Sequence, residues 1–351
     1  MTAAKKKNSR RKQARFRSSR RKRIRNTVLL LLLLVVLGGT GIGAIYVLRN
    51  GTVFDKLEEA YVASREFSGG ITDLDSLRAD GFAKNLCVVV SDVPMDGVSL
   101  GENQKGLLLD LDDRKVLYSK QALQKVYPAS ITKIMTAMLA LKYGNMNDVV
   151  TITQENLNLE EGSQVCGFWA GDQVTLDQLL HCLLVYSGND AAAAIAEHVG
   201  GSTEGFVEMM NSYARELGCT GTHFTNPHGL QDENHYTTPY DIYLMLKEAL
   251  NYPEFTQITQ SGSYTVEYTH ADGSDASTTL LATDHYLTGE ATPPKNVTIL
   301  GGKTGTTDNA GNCLALLSQN AYGKPYISIV MGASTKDELY EQMSSLLQNI
   351  N

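Results

Sequence analysis

The segment SITKIMTAMLALK, Ser130–Lys142, decides the fold class because it is apolar on nearly every face when drawn as a helix. A helix of that kind is buried on all sides, so other elements must surround it. Strand-like segments precede it, further helices follow it, and strand-like segments return toward the C-terminus. This order predicts an α+β domain in which an antiparallel sheet has helices packed on it.

The hydrophobic pattern sets the expected elements. We predict strands at Leu86–Val90, Gly106–Leu111, Lys115–Ser119, Tyr264–Tyr268, Thr298–Lys303, Asn312–Leu317 and Pro325–Met331. We predict helices at Ser130–Lys142, Leu176–Leu184, Asp190–His198, Glu204–Leu217, Thr238–Leu250 and Lys336–Ile350. The last of these helices carries a one-sided apolar stripe, which indicates packing against the core.

The two ends of the chain differ sharply in charge. Thirteen basic side chains and no acidic one occupy residues 1–25, which leaves 18 basic against 38 acidic residues in the rest of the chain. That balance excludes nucleic acid as a partner for the bulk of the protein. A hydrophobic content of 42% with 20% charged residues also excludes a disordered chain.

An uncharged apolar run follows the basic tail. Residues 27–48, TVLLLLLLVVLGGTGIGAIYVL, are long enough to cross a hydrocarbon core of ~30 Å as one helix. The run passes straight to Arg49 without a small-x-small cleavage site, so we expect an uncleaved signal anchor, although the sequence leaves cleavage open. By the positive-inside rule, residues 1–26 form a cytoplasmic tail, residues 49–83 an extracytoplasmic stalk and residues 84–351 an extracytoplasmic domain.

The cysteines do not form a recognisable site. They are scattered singly without a C-x-x-C pair, which argues against a zinc site or a thioredoxin-like motif. Their positions are Cys87, Cys166, Cys182, Cys219 and Cys313. A domain of this size can build a core without disulfides, and the sequence leaves the pairing of the thiols open. We expect no metal and no cofactor.

Ser130 and Lys133 form the first candidate site. Residues three apart share one face of a helix, so the lysine amine can reach the serine hydroxyl. Burial in the apolar helix disfavours the ammonium, which leaves a neutral amine able to act as a base for a serine nucleophile. The alternative is a helix N-cap at Ser130 with an exposed Lys133. The pattern alone is weak, because Ser19-Arg-Arg-Lys22 in the basic tail matches it as well.

Ser187-Gly-Asn189 forms the second candidate site, at a turn between two apolar helices. In the functional interpretation Ser187 relays a proton toward a leaving amine, and the Asn189 amide binds a substrate peptide group. The alternative is again a helix N-cap at one of these residues. Ser318-Gln-Asn320 matches the same short pattern elsewhere in the chain.

Gly301-Gly-Lys303-Thr-Gly-Thr306-Thr forms the third, where a strand runs into a glycine-rich edge that a ligand backbone can approach closely. Lys303 would place positive charge near Lys133 and so help to keep Lys133 neutral. Lys303 and Thr304 would also attract a substrate carboxylate. A phosphate-binding loop is excluded because the spacing G-x-x-x-x-G-K-[ST] is absent.

Taken in order, these sites resemble the S-x-x-K, S-x-N and K-T-G motifs of penicillin-binding proteins and serine β-lactamases. The longer strings ASITKIMTA, LLVYSGNDAA, TNPHGL and GGKTGTT resemble those of the serine D-alanyl-D-alanine carboxypeptidases, which are low-molecular-mass penicillin-binding proteins. The likeness covers residues 84–351. It implies a β-lactamase/transpeptidase-like α+β fold with a helical subdomain beside the sheet, preceded here by one transmembrane helix.

The resemblance implies an activity and partners. Members of this family remove the terminal D-alanine from peptidoglycan stem pentapeptides at the bacterial cell membrane, and β-lactam antibiotics acylate the same serine. For this chain it implies acylation of Ser130, with Lys133 as the base and Ser187 and Lys303 completing the proton network.

The same resemblance assigns the substrate contacts. The residues expected to hold the substrate are Asn189, Thr304, Gly305 and Thr306. The backbone N–H groups of Ser130 and Thr306 would form an oxyanion hole.

Some features depart from the family pattern. Thr306 stands where certain members have a histidine, and His228, in the family-like loop TNPHGL, is interpreted as structural because it has no evident acid–base partner. Many members carry a β-rich domain and an amphipathic helix after the catalytic domain. This sequence ends before either, and we expect residues 27–48 to tether the protein instead.

Three other functions use the same or similar motifs. A class A β-lactamase would have an E-x-x-L-N loop between the second and third motifs, and no glutamate there begins such a string. A noncatalytic penicillin-binding sensor is disfavoured because all three motifs are complete. A D,D-endopeptidase acting on peptidoglycan crosslinks stays open, because both reactions attack the carbonyl of a D-alanine.

Overall fold

The structure is a computed structural model that describes residues 85–350. Its strands are β1 (Lys105–Asp110), β2 (Lys115–Lys120), β3 (Val149–Thr151), β4 (Gln173–Thr175), β5 (Ser263–Thr269), β6 (Asp275–Leu281), β7 (Thr298–Thr307), β8 (Gly311–Gln319) and β9 (Pro325–Ala333). Its α-helices are α1 (Lys133–Tyr143), α2 (Leu176–His181), α3 (Asn189–Gly200), α4 (Thr203–Glu216), α5 (Pro239–Ala249), α6 (Pro253–Thr259), α7 (His285–Thr288) and α8 (Lys336–Leu347). Short 3-10 turns at Ala129–Thr132 and Gln348–Ile350 and a π-helical turn at Cys182–Tyr186 complete the set.

The main sheet has five antiparallel strands in the order β2-β1-β9-β8-β7. The N-terminal hairpin pairs with the C-terminal meander through β1 and β9, where Leu107 lies opposite Ile329. At the other edge β7 pairs with β8, and Lys303 lies opposite Ala315. The third motif therefore lies on the edge strand of the main sheet.

Each face of the main sheet packs against helices because apolar residues occupy both faces of its central strands. On one face, Leu107, Ala315 and Ile329 pack with α1 and the other helices of the middle of the chain. On the opposite face, Leu108, Leu316 and Val330 pack with α8. The predicted α+β arrangement is confirmed, with α1 buried as its composition predicts.

A second antiparallel sheet has the order β3-β4-β5-β6 and was not expected as a separate unit. Its strands β3 and β4 have three residues each, and only one residue pair, Gln173 with Thr269, joins β4 to β5. We call this sheet together with helices α1 to α4 the helical part of the domain. It faces the β7 edge of the main sheet.

One predicted strand is wrong. Leu86–Val90 alternates as a strand would, with Cys87 and Val89 buried and Val88 and Val90 exposed, but it joins neither sheet. Its polar backbone is satisfied by side chains instead, since Cys87 N donates to Tyr243 Oη at 2.9 Å and Cys87 O accepts from Tyr240 Oη at 3.0 Å.

Two helix predictions need correction at their ends. Ser130 belongs to the 3-10 turn that precedes α1, so the regular helix begins at Lys133. The predicted helix Leu176–Leu184 ends as an α-helix at His181 and continues as the π-helical turn.

The predicted tail, anchor and stalk, residues 1–26, 27–48 and 49–83, lie outside the described residues. Among residues 85–350, no helix is long and apolar enough to cross a bilayer.

Candidate active site

The three sequence motifs meet in one cavity of about 350 Å³ between the β7 edge and the helical part of the domain. Ser130, Ser187, Asn189, Thr304 and Thr306 all line it. Gly305 lines it as well, whereas Lys133 and Lys303 are fully buried and are not among its lining residues. The structure thus brings together residues that lie up to 176 positions apart in the chain.

The turn that carries Ser130 is held by two glycines of other segments. Ala129 has a positive φ of 48°, which tightens the turn before α1. A Cβ on Gly305 would lie 2.9 Å from Ser130 N and 3.0 Å from Pro128 O, and one on Gly229 would overlap the Ala129 carbonyl. The glycine of the third motif is therefore required for β7 to lie directly against the serine turn.

Lys133 points its amine at the serine. Its Nζ lies 3.0 Å from Ser130 Oγ, 2.6 Å from Asn189 Oδ1 and 2.8 Å from the carbonyl oxygen of His228. Burial holds the pKa of Lys133 well below its usual range, and the nearby charge of Lys303 lowers it further. The alternative of an exposed lysine beside a capping serine is wrong, because Lys133 is fully buried and Ser130 caps no helix.

The contacts of this amine suit a base. A neutral amine has two N–H groups and one lone pair, and the oxygens of Asn189 and His228 can accept both N–H groups. The lone pair is then directed at the third partner, the hydroxyl of Ser130. The Ser130 O–H can donate into it, which is the geometry for removal of the serine proton.

Ser187 and Lys303 form a second polar pair. Ser187 has a φ of 71° at the end of the π-helical turn, and its hydroxyl accepts from Lys303 Nζ at 2.9 Å. Lys303 Nζ also donates to the Thr304 carbonyl at 3.0 Å. Gly188 is the N-cap of α3, so the alternative in which Ser187 or Asn189 caps that helix is wrong.

Burial lowers the pKa of Lys303 to about 7, and the carboxyl of Asp284 counteracts part of that shift. The two buried lysines therefore differ in their surroundings. The carboxyl of Asp284 is the opposing charge for Lys303. Lys133 instead contacts neutral oxygens and has the carboxyl of Asp190 nearby. When two titratable groups have different surroundings, one can serve as a base and the other as an acid, here Lys133 and Lys303.

The remaining predicted residues line the wall formed by β7. Thr304 Oγ1 lies 2.5 Å from Thr283 Oγ1, and Thr306 Oγ1 donates to Asn312 Oδ1 at 3.1 Å. Thr306 is exposed at the rim of the cavity. These positions are where an extended substrate would contact the edge strand.

Sequence reasoning missed residues that hold the motifs in place. Asp190 is fully buried and accepts from Cys166 N at 2.8 Å and Gly167 N at 3.2 Å, which holds the loop between β3 and β4 against the second motif. The contribution of His228 is its backbone carbonyl. Asp190 could have been predicted from the sequence because it directly follows Asn189 of the second motif. The role of the His228 carbonyl could not, because every residue has a backbone carbonyl.

The histidines nearby act as neutral hydrogen-bonding groups. His228 Nδ1 accepts from Leu230 N at 3.2 Å, and burial lowers the pKa of this ring to about 3. His235 Nδ1 accepts from Thr225 N at 3.0 Å, so the ring proton is on Nε2, which lies 2.8 Å from Thr132 Oγ1. The two rings brace the loop and the serine turn.

The thiols take no part in a bridge. Cys87, Cys166, Cys182, Cys219 and Cys313 are all free and buried.

This combination of an α+β fold with a lysine-assisted serine on a helix turn defines the class of penicillin-binding, active-site serine proteins. Residues 101–335 match the sequence profile described as D-alanyl-D-alanine carboxypeptidase, peptidase family S11. The chain belongs to this family.

Individual proteins agree with that assignment. The D-alanyl-D-alanine carboxypeptidase DacF of Bacillus subtilis is 37% identical over 251 residues, 70% of this chain. A D-alanyl-D-alanine carboxypeptidase from Mycobacterium tuberculosis has a TM-score of 0.63 at 28% identity, over 74% of this chain and 93% of its own. The DD-transpeptidase of Streptomyces K15 has a TM-score of 0.64 at 28% identity, over 69% of this chain and 94% of its own.

The match covers only part of the curated relative. This chain spans 61% of the length of the Bacillus protein.

Proposed function

We propose that the protein is a serine D-alanyl-D-alanine carboxypeptidase that removes the terminal D-alanine from peptidoglycan stem pentapeptides. The observation that carries the proposal is the fully buried amine of Lys133, 3.0 Å from the hydroxyl of Ser130. A serine hydroxyl is a weak nucleophile until a base takes its proton, and a buried lysine with a lowered pKa can serve as that base at neutral pH.

In the first step Lys133 takes the proton of Ser130, and the serine oxygen attacks the carbonyl carbon of the penultimate D-alanine. The carbonyl oxygen becomes an oxyanion, which the backbone N–H groups of Ser130 and Thr306 stabilise. The close packing of Gly305 on the serine turn supports this assignment, because it brings the β7 backbone beside Ser130.

In the second step the C–N bond breaks and the terminal D-alanine leaves as an amine. The leaving nitrogen needs a proton, and Ser187, which accepts from Lys303 at 2.9 Å, can relay one to it. The product is an ester between Ser130 and the shortened peptide. Lys133 then passes the proton it took from Ser130 to Lys303, which the relay left neutral, and both lysines return to their starting states. In the last step Lys133 takes a proton from water, the hydroxide attacks the ester carbonyl, and Lys133 gives that proton to the Ser130 oxygen as the ester C–O bond breaks.

Residues of the cavity can contact both the peptide backbone of the stem and its terminal carboxylate. The amide of Asn189 can hold a peptide group of the stem, while Thr304, Gly305 and Thr306 present the β7 edge to its extended backbone. The charge of Lys303 with the Thr304 hydroxyl attracts the terminal carboxylate. A β-lactam presents a similar carbonyl and carboxylate, so we propose that it acylates Ser130 and leaves slowly.

We further propose that the catalytic domain works outside the cytoplasm at the bacterial membrane. The apolar run at residues 27–48 would anchor it, with the basic tail inside and residues 49–83 as a stalk. A membrane-anchored position outside the cytoplasm suits an enzyme whose substrate is the cell wall, because it places the active site on the same side of the membrane as the wall.

Product analysis tests the proposal. The purified full-length chain is incubated with a stem pentapeptide ending in D-Ala-D-Ala and, separately, with a crosslinked stem-peptide dimer, and the products are identified by mass spectrometry. We expect loss of one alanine from the pentapeptide and none in the Ser130→Ala variant. Cleavage of the dimer with an intact pentapeptide would make the protein a D,D-endopeptidase instead.

A further inference from the structure

Trp169, the single tryptophan of the chain, is 67% exposed although the preceding Phe168 is buried. An indole left in water loses the hydrophobic stabilisation that burial would give it. Single exposed apolar residues are common on protein surfaces. Trp169 differs because its exposed ring is stacked on a neighbouring side chain.

One side chain contacts the indole ring, and a second one holds that side chain and the Trp169 backbone. The ring stacks on His270 with 4.9 Å between centroids and 20° between planes. Asp172, which is fully buried, accepts from the Trp169 backbone N–H at 2.8 Å and lies 2.8 Å from His270 Nδ1. We call Trp169, His270 and Asp172 the indole platform. One face of the indole is covered, so its exposure comes from the opposite face and edge.

The platform is tied to the catalytic cavity by a short, fixed segment. Gln164 lines the cavity, and its carbonyl accepts from Asn189 N at 2.8 Å. Cys166 N donates to Asp190 at 2.8 Å, and Phe168 packs edge-on against Tyr268. Trp169 lies five positions after Gln164, so its backbone lies at most about 18 Å from that of Gln164 at the cavity wall.

The ring is suited to a ligand that is flat, apolar on one side and polar at its rim. The face of an indole is electron-rich and attracts weakly positive C–H groups. The adjoining turn, residues 271–275, is exposed and polar, and it packs closely on the loop because a Cβ on Gly171 would lie 2.7 Å from Ala271 Cβ. A pyranose ring has C–H groups on its faces and hydroxyls at its edge.

We propose that the indole platform binds a sugar ring of the glycan strand from which the stem peptide extends. This proposal rests on the proposed function, since it concerns the same substrate. The scissile carbonyl belongs to the fourth residue of the stem, and four extended residues reach about 14 Å. The reach of the stem, about 14 Å, is therefore similar to the upper limit of about 18 Å on the distance between the backbone of Trp169 and that of Gln164 at the cavity wall.

A lipid or protein surface fits the platform less well. Such contacts use several adjacent apolar side chains. The side chain stacked on the Trp169 ring is an imidazole, and the carboxylate of Asp172 holds that imidazole. The neighbouring turn carries Asp272 and Ser274, which hydrogen bond to each other. The platform thus offers one apolar face within a polar rim.

Kinetics give the first test. D-alanine release by the full-length chain is measured with a disaccharide-pentapeptide and with the same pentapeptide lacking the sugars. We expect the wild type to have a lower KM for the disaccharide substrate, with kcat/KM about fivefold to tenfold higher, the size of one aromatic contact. Trp169→Ala should remove that preference while leaving the bare pentapeptide unaffected, and Trp169→Tyr should retain most of it. An unchanged preference in Trp169→Ala would overturn the proposal.

Fluorescence gives a second test that does not need turnover. Because Trp169 is the single tryptophan, its emission reports on the platform directly. In the Ser130→Ala variant we expect a saturable change with the disaccharide-pentapeptide and none with the pentapeptide alone. An equal response to both, or a response to anionic phospholipid vesicles but not to the sugar, would contradict the proposal. A sugar response without D-alanine release by the wild type would instead reject the proposed carboxypeptidase activity and leave the platform standing.

Discussion

The amine of Lys133 and the amide oxygen of Asn189 lie 2.6 Å apart, so the first and second motifs meet at one buried hydrogen bond. Asn189 is neutral, and it therefore orients the amine without stabilising the ammonium as a carboxylate would. The carboxyl of Asp190, the next residue, accepts from the backbone N–H of Cys166 and does not contact the amine. Burial and the charge of Lys303 lower the pKa of Lys133, Asp190 counteracts part of that shift, and the net direction favours the neutral amine that a base requires.

Replacing Ser130 by Ala should abolish covalent labelling by a fluorescent penicillin, because no oxygen remains to form the ester. The measurement is in-gel fluorescence of the purified variant. Ser19→Ala is the matched control, since Ser19 begins the second S-x-x-K match in the chain, and it should label normally. Persistent labelling of Ser130→Ala would remove Ser130 as the nucleophile.

Replacing Lys133 by Met keeps the volume of the buried side chain and removes the base. We expect acylation by penicillin to slow by about 10²- to 10⁴-fold, the usual contribution of a general base, with the fold retained. Stopped-flow or quenched labelling gives the rate, and circular dichroism checks the fold. Lys142→Met, at the other end of the same helix, should acylate at the wild-type rate. Normal acylation by Lys133→Met would refute the buried-base mechanism.

Replacing Asn189 by Asp tests the pKa of Lys133. A carboxylate in contact with Nζ favours the ammonium, so the pKa of Lys133 rises and less of it is neutral at pH 7. The acidic limb of the kcat/KM profile for D-alanine release should then move to higher pH. Asn189→Ala should lower the rate without moving that limb. The account fails on this point if the two variants have superimposable limbs.

The alkaline limb of the same profile should report Lys303. Its pKa is lowered to about 7, and if its proton reaches the leaving amine through Ser187, kcat/KM falls as pH rises through that value. Arginine stays protonated throughout this range, so Lys303→Arg should lose the alkaline limb, though at a lower maximal rate. An alkaline limb that persists unchanged in Lys303→Arg would assign it to another group.

The fold could be predicted where apolar periodicity is strong. The helices of the middle of the chain and the central strands of the main sheet appear near their expected positions, because burial dictates their composition. The strands β3, β4 and β6 were missed. The first two have three residues each, and β6 has few apolar side chains, with Leu280 as its one buried residue. The helices α6 and α7 were missed because they are short.

The candidate site was predictable as a set of side chains but not as a network. The three motifs identify Ser130, Lys133, Ser187 and Lys303, and the structure brings them together. The carbonyl of His228 and the hydroxyl of Thr283 contact the motif residues only through the tertiary fold, at separations of 95 and 21 residues from their partners. Local spacing cannot encode contacts of that kind.

Peptide mapping of the penicillin adduct tests the central claim most directly. The full-length chain is treated with penicillin, digested with trypsin and analysed by mass spectrometry. Cleavage after Lys125 and Lys133 releases VYPASITK, in which Ser130 is the single serine. We predict one penicilloyl group on this peptide, at Ser130. An adduct on any other peptide, or none in a folded protein, would contradict the assignment of Ser130 as the acylated nucleophile.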